Sequence, residues 1–203
     1  MNKQDISLTK NGKFKSLEEV FAEMGLTGVE KAYDLLLKEK PLTADSLSQI
    51  INKSPEETKA IISTFGEVDQ HEKIVGLMGI TLVETSHKLS VDDHVVYTWC
   101  AADTLLFPRF LGFSAKVESK DPVNGELVKL SVNEDYLEWT DPVPLYISWM
   151  EKADSCDIRN SFCKHSYFFS SQDTANKWLE ENPAGKISKV EDFFSYPVGI
   201  GCC

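Results

Sequence analysis

Val95-Val96-Tyr97-Thr98-Trp99-Cys100-Ala101-Ala102-Asp103-Thr104-Leu105-Leu106-Phe107-Pro108 sets a thiol and a carboxylate inside an otherwise apolar run. Helix formers fill Trp99 to Phe107, and Pro108 is expected to end the helix, since proline has no N–H and clashes with the preceding turn. Residues three apart share a helical face, so Cys100 and Asp103 are placed about one turn from each other. A carboxylate among Trp99, Leu106 and Phe107 is disfavoured in its charged form, which raises its pKa and lets it hold a proton near neutrality. The competing reading makes Cys100 a small buried hydrophobe and Asp103 a helix residue reaching solvent or a backbone partner.

The remainder of the chain bounds both readings. A length of 203 residues allows one large or two small domains, and 42% hydrophobic content suffices for a core. No stretch approaches the roughly 18 apolar residues of a membrane span, and Lys3, Lys10, Lys13 and Lys15 leave no secretory apolar segment, so a cytoplasmic location is expected. Five cysteines without a C-x-x-C pair suggest neither a disulfide framework nor a ribbon-type zinc site. A net charge of -11 repels phosphates and anionic lipid, which argues against nucleic acid or a membrane as the main partner.

From the N-terminus, Leu17, Val20, Phe21 and Met24 predict a short amphipathic helix closed by Gly25. Glu30 to Lys40 predicts a second helix, Thr43 caps a third running to Ile51, and Ser54 caps a fourth. In that last helix Pro55 suits the first position, Glu56 and Glu57 favour the N-terminus, and Ile61, Ile62 and Phe65 supply the apolar face. Ile74 to Glu84, broken by Gly76 and Gly79, reads as the β-wing of a winged helix. DNA contact fails on charge, because residues 1–88 carry 11 Lys plus Arg against 14 Asp plus Glu, or 11 - 14 = -3. The helix that would enter the major groove begins with Glu56 and Glu57. Packing against the remainder of the chain is the expected role.

Beyond Leu89 the character turns aromatic and β-rich. The expected class is α+β: an N-terminal, winged-helix-like helical module over 1–88, then a mixed α/β catalytic domain with antiparallel strands over 89–203. Strands are predicted at Ala115–Ser119 and Glu126–Val132, joined through Asn124-Gly125, and at Val143–Trp149. Ser161-Phe162-Cys163-Lys164-His165-Ser166-Tyr167-Phe168-Phe169 is dense in aromatics and strand-like at its end. Ser171 caps a helix to Asn182. The chain closes on a glycine-rich tail with two adjacent thiols, Cys202 and Cys203, read either as a relay for a thiol-bound metal or as an idle terminus.

Tyr97 to Pro108, followed about 60 residues later by Ser161 to Phe169, resembles the organomercurial lyases (alkylmercury lyases) of bacterial mercury resistance. The resemblance is best from Val95 to Leu179 and implies an N-terminal winged-helix-like part before an α/β catalytic part. It implies that Cys100 and Cys163 bind mercury and that Asp103 handles the proton. Lys164 stands where some members carry a second cysteine, and Asp121 where some carry a structural one.

Chemistry fits each residue type. Mercury is soft and prefers thiolate, so two cysteines are required to hold it against cellular thiols. A thiol with a pKa near 8.5 benefits from a neighbouring base. Once both sulfurs donate, the bound carbon becomes basic enough to take a proton from Asp103. The expected reaction is R-Hg⁺ plus H⁺ giving R-H plus Hg²⁺, with no organic cofactor, low-molecular-weight thiols for release, and a mercuric reductase as acceptor. Cys156 reads as structural, and His165 as a packed histidine rather than a ligand. Trp99, Phe162, Tyr167 and Phe168 are offered as pocket lining or as core. Two other classes stay open at this point, a non-catalytic mercury- or metal-binding protein and a winged-helix thiol or metal sensor.

Overall fold

The computed structural model describes residues 9–10, 13–14, 21–22, 26–150, 154 and 157–195. Most of the first expected helix, Cys156 and the Cys202-Cys203 tail lie outside them. After a short hairpin of β1 (Thr9–Lys10) and β2 (Lys13–Phe14), three helices follow: α1 (Glu30–Leu36), α2 (Ala44–Ile51) and α3 (Pro55–Phe65). Local chemistry sets two of their starts. The Thr43 hydroxyl accepts the Ser46 N–H at 3.0 Å. The Ser54 hydroxyl accepts the Glu57 N–H at 3.2 Å while Glu57 Oε2 accepts the Ser54 N–H at 3.0 Å, with Pro55 in the first turn. Both are capping boxes. Helix α1 is shorter than its apolar pattern suggested, because the chain turns through Glu39 at φ 55°.

An eight-stranded antiparallel sheet dominates the molecule. Its strands are β3 (Gly66–Val68), β4 (Ile74–Leu77), β5 (Ile80–Thr81), β6 (His87–Val91), β7 (His94–Thr98), β8 (Ala115–Lys120), β9 (Leu127–Val132) and β10 (Leu137–Asp141). They are ordered β10-β9-β8-β6-β7-β5-β4-β3. Two expectations change here. The segment read as a wing pairs onward into the sheet, Ile80 with Thr98 and Thr81 with Tyr97, so it is not a free hairpin. The expected boundary between Lys88 and Leu89 falls inside β6, which bonds to β7 on one side and β8 on the other. The Asn124-Gly125 hairpin forms as read, with Lys120 opposite Leu127 and Gly125 at φ 74°.

Helix α4 (Ala101–Leu111) also departs from its expected limits. It does not begin at Trp99, whose N–H is used by the Gly79 carbonyl at 2.8 Å. Nor does it stop at Pro108, which lies inside it; Gly112, left-handed at φ 71°, ends it instead. An interior proline costs about 3 kcal/mol, and the burial of every residue from Ala101 to Pro108 offsets that. Beyond the large sheet lie β11 (Tyr146–Met150), α5 (Ile158–Ser161), β12 (Phe168–Phe169), α6 (Gln172–Glu181), β13 (Gly185–Lys189) and α7 (Val190–Ser195). Strands β12-β11-β13 make a second antiparallel sheet.

One core joins these parts. Leu36, Leu47 and Phe65 from the helices belong to the same buried cluster as Leu89, Val117, Leu130 and Phe162. Tyr33 meets Phe107 edge-on at 4.9 Å, so α1 rests directly on α4. Among the described residues no helix is long and apolar enough to cross a membrane.

His87 on β6 is a buried titratable group whose ring Nδ1 lies 2.8 Å from Ser119 Oγ. Burial lowers its pKa from 6.5 to about 4. The native state therefore excludes a proton that the unfolded chain binds. Stability should be complete above pH 6.5 and fall as the pH drops toward 4, by roughly 3 kcal/mol over that window. Urea midpoints at pH 7 and pH 4.5, compared with those of His87→Phe, check this; an equal acid loss in the variant would assign it to other groups.

Candidate active site

Strand β7 delivers the chain to Cys100, whose backbone is extended at φ -152° and which occupies the position before the first turn of α4. Thr98 Oγ1 donates to the Cys100 carbonyl at 2.9 Å. Asp103 follows in the first turn of the helix. Cys163 opens a single 3-10 turn, Cys163–His165, just after α5. The two segments meet at Ser166, whose hydroxyl accepts the Ala102 N–H at 3.0 Å and whose carbonyl accepts the Ala101 N–H at 3.1 Å. Ser148 on β11 holds the same turn from behind, donating to the His165 carbonyl at 2.7 Å and accepting the Tyr167 N–H at 3.0 Å.

The result is a compact donor set. One sulfur of Cys100, one of Cys163 and a carboxylate oxygen of Asp103 lie within 4.8 Å of one another. All three side chains are buried, at 0%, 2% and 0% exposure respectively, and neither cysteine is in a disulfide. The three residues singled out in the sequence therefore come together. His165 is not among these donors, and Lys164 faces solvent.

The electrostatics follow from burial. Neither carboxyl oxygen of Asp103 has a hydrogen bond of regular geometry. Desolvation pushes its pKa well above the ordinary carboxylate value, and the Cys100 thiol adds to the rise through its charge and its contact; the Cys100 backbone N–H opposes them. Cys100 and Asp103 thus resist ionising together. The Tyr167 phenol is raised too, first by burial and then by Cys100.

Of the four aromatic residues offered as pocket lining, Phe162 and Phe168 are fully buried core. Trp99 is half-buried, with its indole N–H on Glu67 Oε2 at 3.0 Å and the Arg159 guanidinium 4.6 Å over its ring. Arg159 also pairs with Glu67 Oε1 at 2.6 Å, so one cluster spans β3, the residue before Cys100 and the helix before Cys163. Asp121 is buried and fully engaged: it accepts from the Val123 N–H at 2.8 Å, the Ser170 N–H at 2.8 Å, the Ser170 hydroxyl at 3.1 Å and the Thr174 hydroxyl at 2.7 Å. Four donors fix it as structural cement between the β8–β9 hairpin and α6.

Gly79 is a site neighbour that sequence reasoning assigned only to a hairpin. It sits at φ 110°, and a Cβ there would meet Phe107 at 2.5 Å and the Asp103 carboxyl at 3.1 Å. Gly79→Ala should cost about 1–3 kcal/mol from backbone strain and overpacking. It should also lower turnover in the fraction that stays folded, because the added methyl displaces Asp103. Thermal unfolding and turnover per folded molecule test this, and wild-type values of both would contradict the contact.

Two buried thiols facing one buried acid are the donor types that suit a soft metal, with a group able to carry a proton beside them. A family model described as MerB, alkylmercury lyase, matches residues 80–197. The chain is 35% identical over 176 residues to the alkylmercury lyase of Bacillus cereus, covering 80% of each. It is 32% identical over 169 residues to that of Staphylococcus epidermidis, covering 82% of this chain and 78% of the other. With that of Pseudomonas putida it shares 34% identity over 161 residues, covering 78% and 76%. A solved structure, the crystal structure of the mercury-bound form of MerB2, matches the fold with a TM-score of 0.72 at 22% identity, over 89% of this chain and 92% of that one. This chain belongs to the alkylmercury lyase family.

Proposed function

We propose that the chain cleaves carbon–mercury bonds by protonolysis, with Cys100 and Cys163 as the mercury ligands and Asp103 as the proton carrier. The observation that carries the reading is the enclosure of two sulfurs and one acid within 4.8 Å. An organomercurial cation exchanges its thiol or halide partner for the Cys100 sulfur, and the Cys100 proton passes to the Asp103 carboxylate. Cys163 then adds the second sulfur, and its proton leaves with the departing thiolate or halide. Donation from both makes the bound carbon basic; Asp103 gives it a proton, the C–Hg bond breaks with its electron pair on carbon, and R-H leaves. Hg(II) stays on two thiolates. Low-molecular-weight thiols draw it off, and a mercuric reductase is the receiver we expect. The residues perform each step without an organic cofactor, in the cytoplasm where thiols are abundant.

A protein that only stored mercury would gain nothing from a buried carboxyl beside its two thiols. For the helices before β3 we infer a winged-helix-like module turned to packing, since their apolar faces enter the common core and the acidic first turn of α3 repels DNA. The test is to incubate purified protein with excess thiol and phenylmercury or methylmercury. Benzene or methane should appear catalytically; stoichiometric mercury uptake without hydrocarbon would overturn the reading.

A further inference from the structure

The first turn of a helix leaves its leading N–H groups without partners inside the helix, and a Ser, Thr, Asp or Asn side chain at the preceding position commonly accepts one of them. Helix α4 has a cysteine there, and its side chain makes no capping hydrogen bond. The acceptors come from elsewhere. Ser166 takes the Ala101 N–H on its carbonyl and the Ala102 N–H on its hydroxyl, across a separation of 64 residues for the latter. Ser166 is 0% exposed. Its own N–H bonds the Cys163 carbonyl at 3.2 Å, closing the turn that presents the second thiol.

We propose that Ser166 is a positioning residue for the reaction: by capping the Cys100 helix from the Cys163 turn, it fixes the separation of the two mercury-binding thiols. The inference rests on Cys100 and Cys163 being the mercury pair. Capping by a remote residue has a chemical reason. A serine or threonine at position 100 would cap the helix locally but offer mercury a hard oxygen, whereas a thiol is a weak acceptor and leaves the helix uncapped. Placing the cap one turn from the other thiol answers both needs, because the bonds that satisfy the helix also set the chelate. Ser148 supports the arrangement without touching α4, since it grips the His165 carbonyl and the Tyr167 N–H on either side of Ser166.

The experiment uses the full chain, mercuric chloride with 2-mercaptoethanol as competitor, and phenylmercury as substrate, at a temperature where each variant is native by circular dichroism. Ser166→Ala should retain Hg(II) about ten- to a hundredfold less well against the competing thiol and lose kcat/KM to a similar degree. Its rise in Tm on Hg(II) loading should be smaller than that of the wild type. Ser166→Thr, which restores an acceptor oxygen, should recover most of both. A purely structural cap predicts something else: the free and loaded Tm of Ser166→Ala fall by the same amount while retention and turnover per folded molecule stay at wild-type values, and that result overturns the proposal. Should Ser166→Ala not fold, Ser148→Ala loosens the same turn while leaving the cap atoms in place; unchanged Hg(II) retention in it would also overturn the proposal. Cys163→Ala serves as the control, because wild-type turnover there would refute the mercury pair itself rather than the role of Ser166.

Discussion

Asp103→Asn should bind organomercurial yet release almost no hydrocarbon. The substitution keeps the size of the side chain and leaves both sulfurs in place, but removes the only acid among the three converging donors. General acid–base help of this kind is typically worth about 10² to 10⁴ in rate, or roughly 3 to 5 kcal/mol of barrier. An adduct of mass equal to protein plus R-Hg should therefore accumulate in intact mass spectrometry. Near wild-type turnover would assign the proton to solvent or to another group such as Tyr167. A second readout separates electrostatics from catalysis. Asp103 has a native pKa above its unfolded one, so its contribution to stability is present below about 3.8 and is lost as the pH rises through the raised value. The variant lacks this loss, and its stability should change less as the pH rises above about 3.8.

Cys163→Ser should fail earlier, losing capture and cleavage together. A hydroxyl is neither soft nor ionised at neutral pH, so mercury on Cys100 alone stays open to competing thiols and its carbon is not made basic by a second sulfur. Turnover should fall by about 10³ or more, the scale seen when one member of a group acting as a unit is removed. Hg(II) retention against a monothiol should fall with it. Retention at the wild-type level would show that Cys163 is a packing residue, despite lying within reach of Cys100.

The parts of this architecture readable from sequence are those set by local chemistry. Thr43 and Ser54 announced their helices because a capping box is complete within four residues. Asn124-Gly125 announced its hairpin for the same reason. Pro108 misled, because the cost of an interior proline is local while the burial that offsets it is tertiary. The expected boundary misled too: the change of composition near Lys88 marks strands β6 and β7 turning through Asp92 at φ 50°, and their neighbours β5 and β8 cannot be inferred from the strands themselves. At the site, Cys100 and Asp103 were legible as a pair through their three-residue spacing, although Cys100 precedes the helix with extended backbone instead of lying on its face, and Cys163 joined them only through resemblance to a family. Ser166, Ser148 and Gly79 carried no signal, since each acts on a residue distant in the chain.

The long reach of the Ser166 cap has a consequence for the protein's synthesis. Ser166 lies 64 residues after Ala102, so a ribosome adding about 5 to 20 residues per second takes roughly 3 to 13 seconds from one to the other. Until then Cys100 could hold a mercurial through one sulfur only, a bond that a competing thiol strips more readily than a two-sulfur chelate.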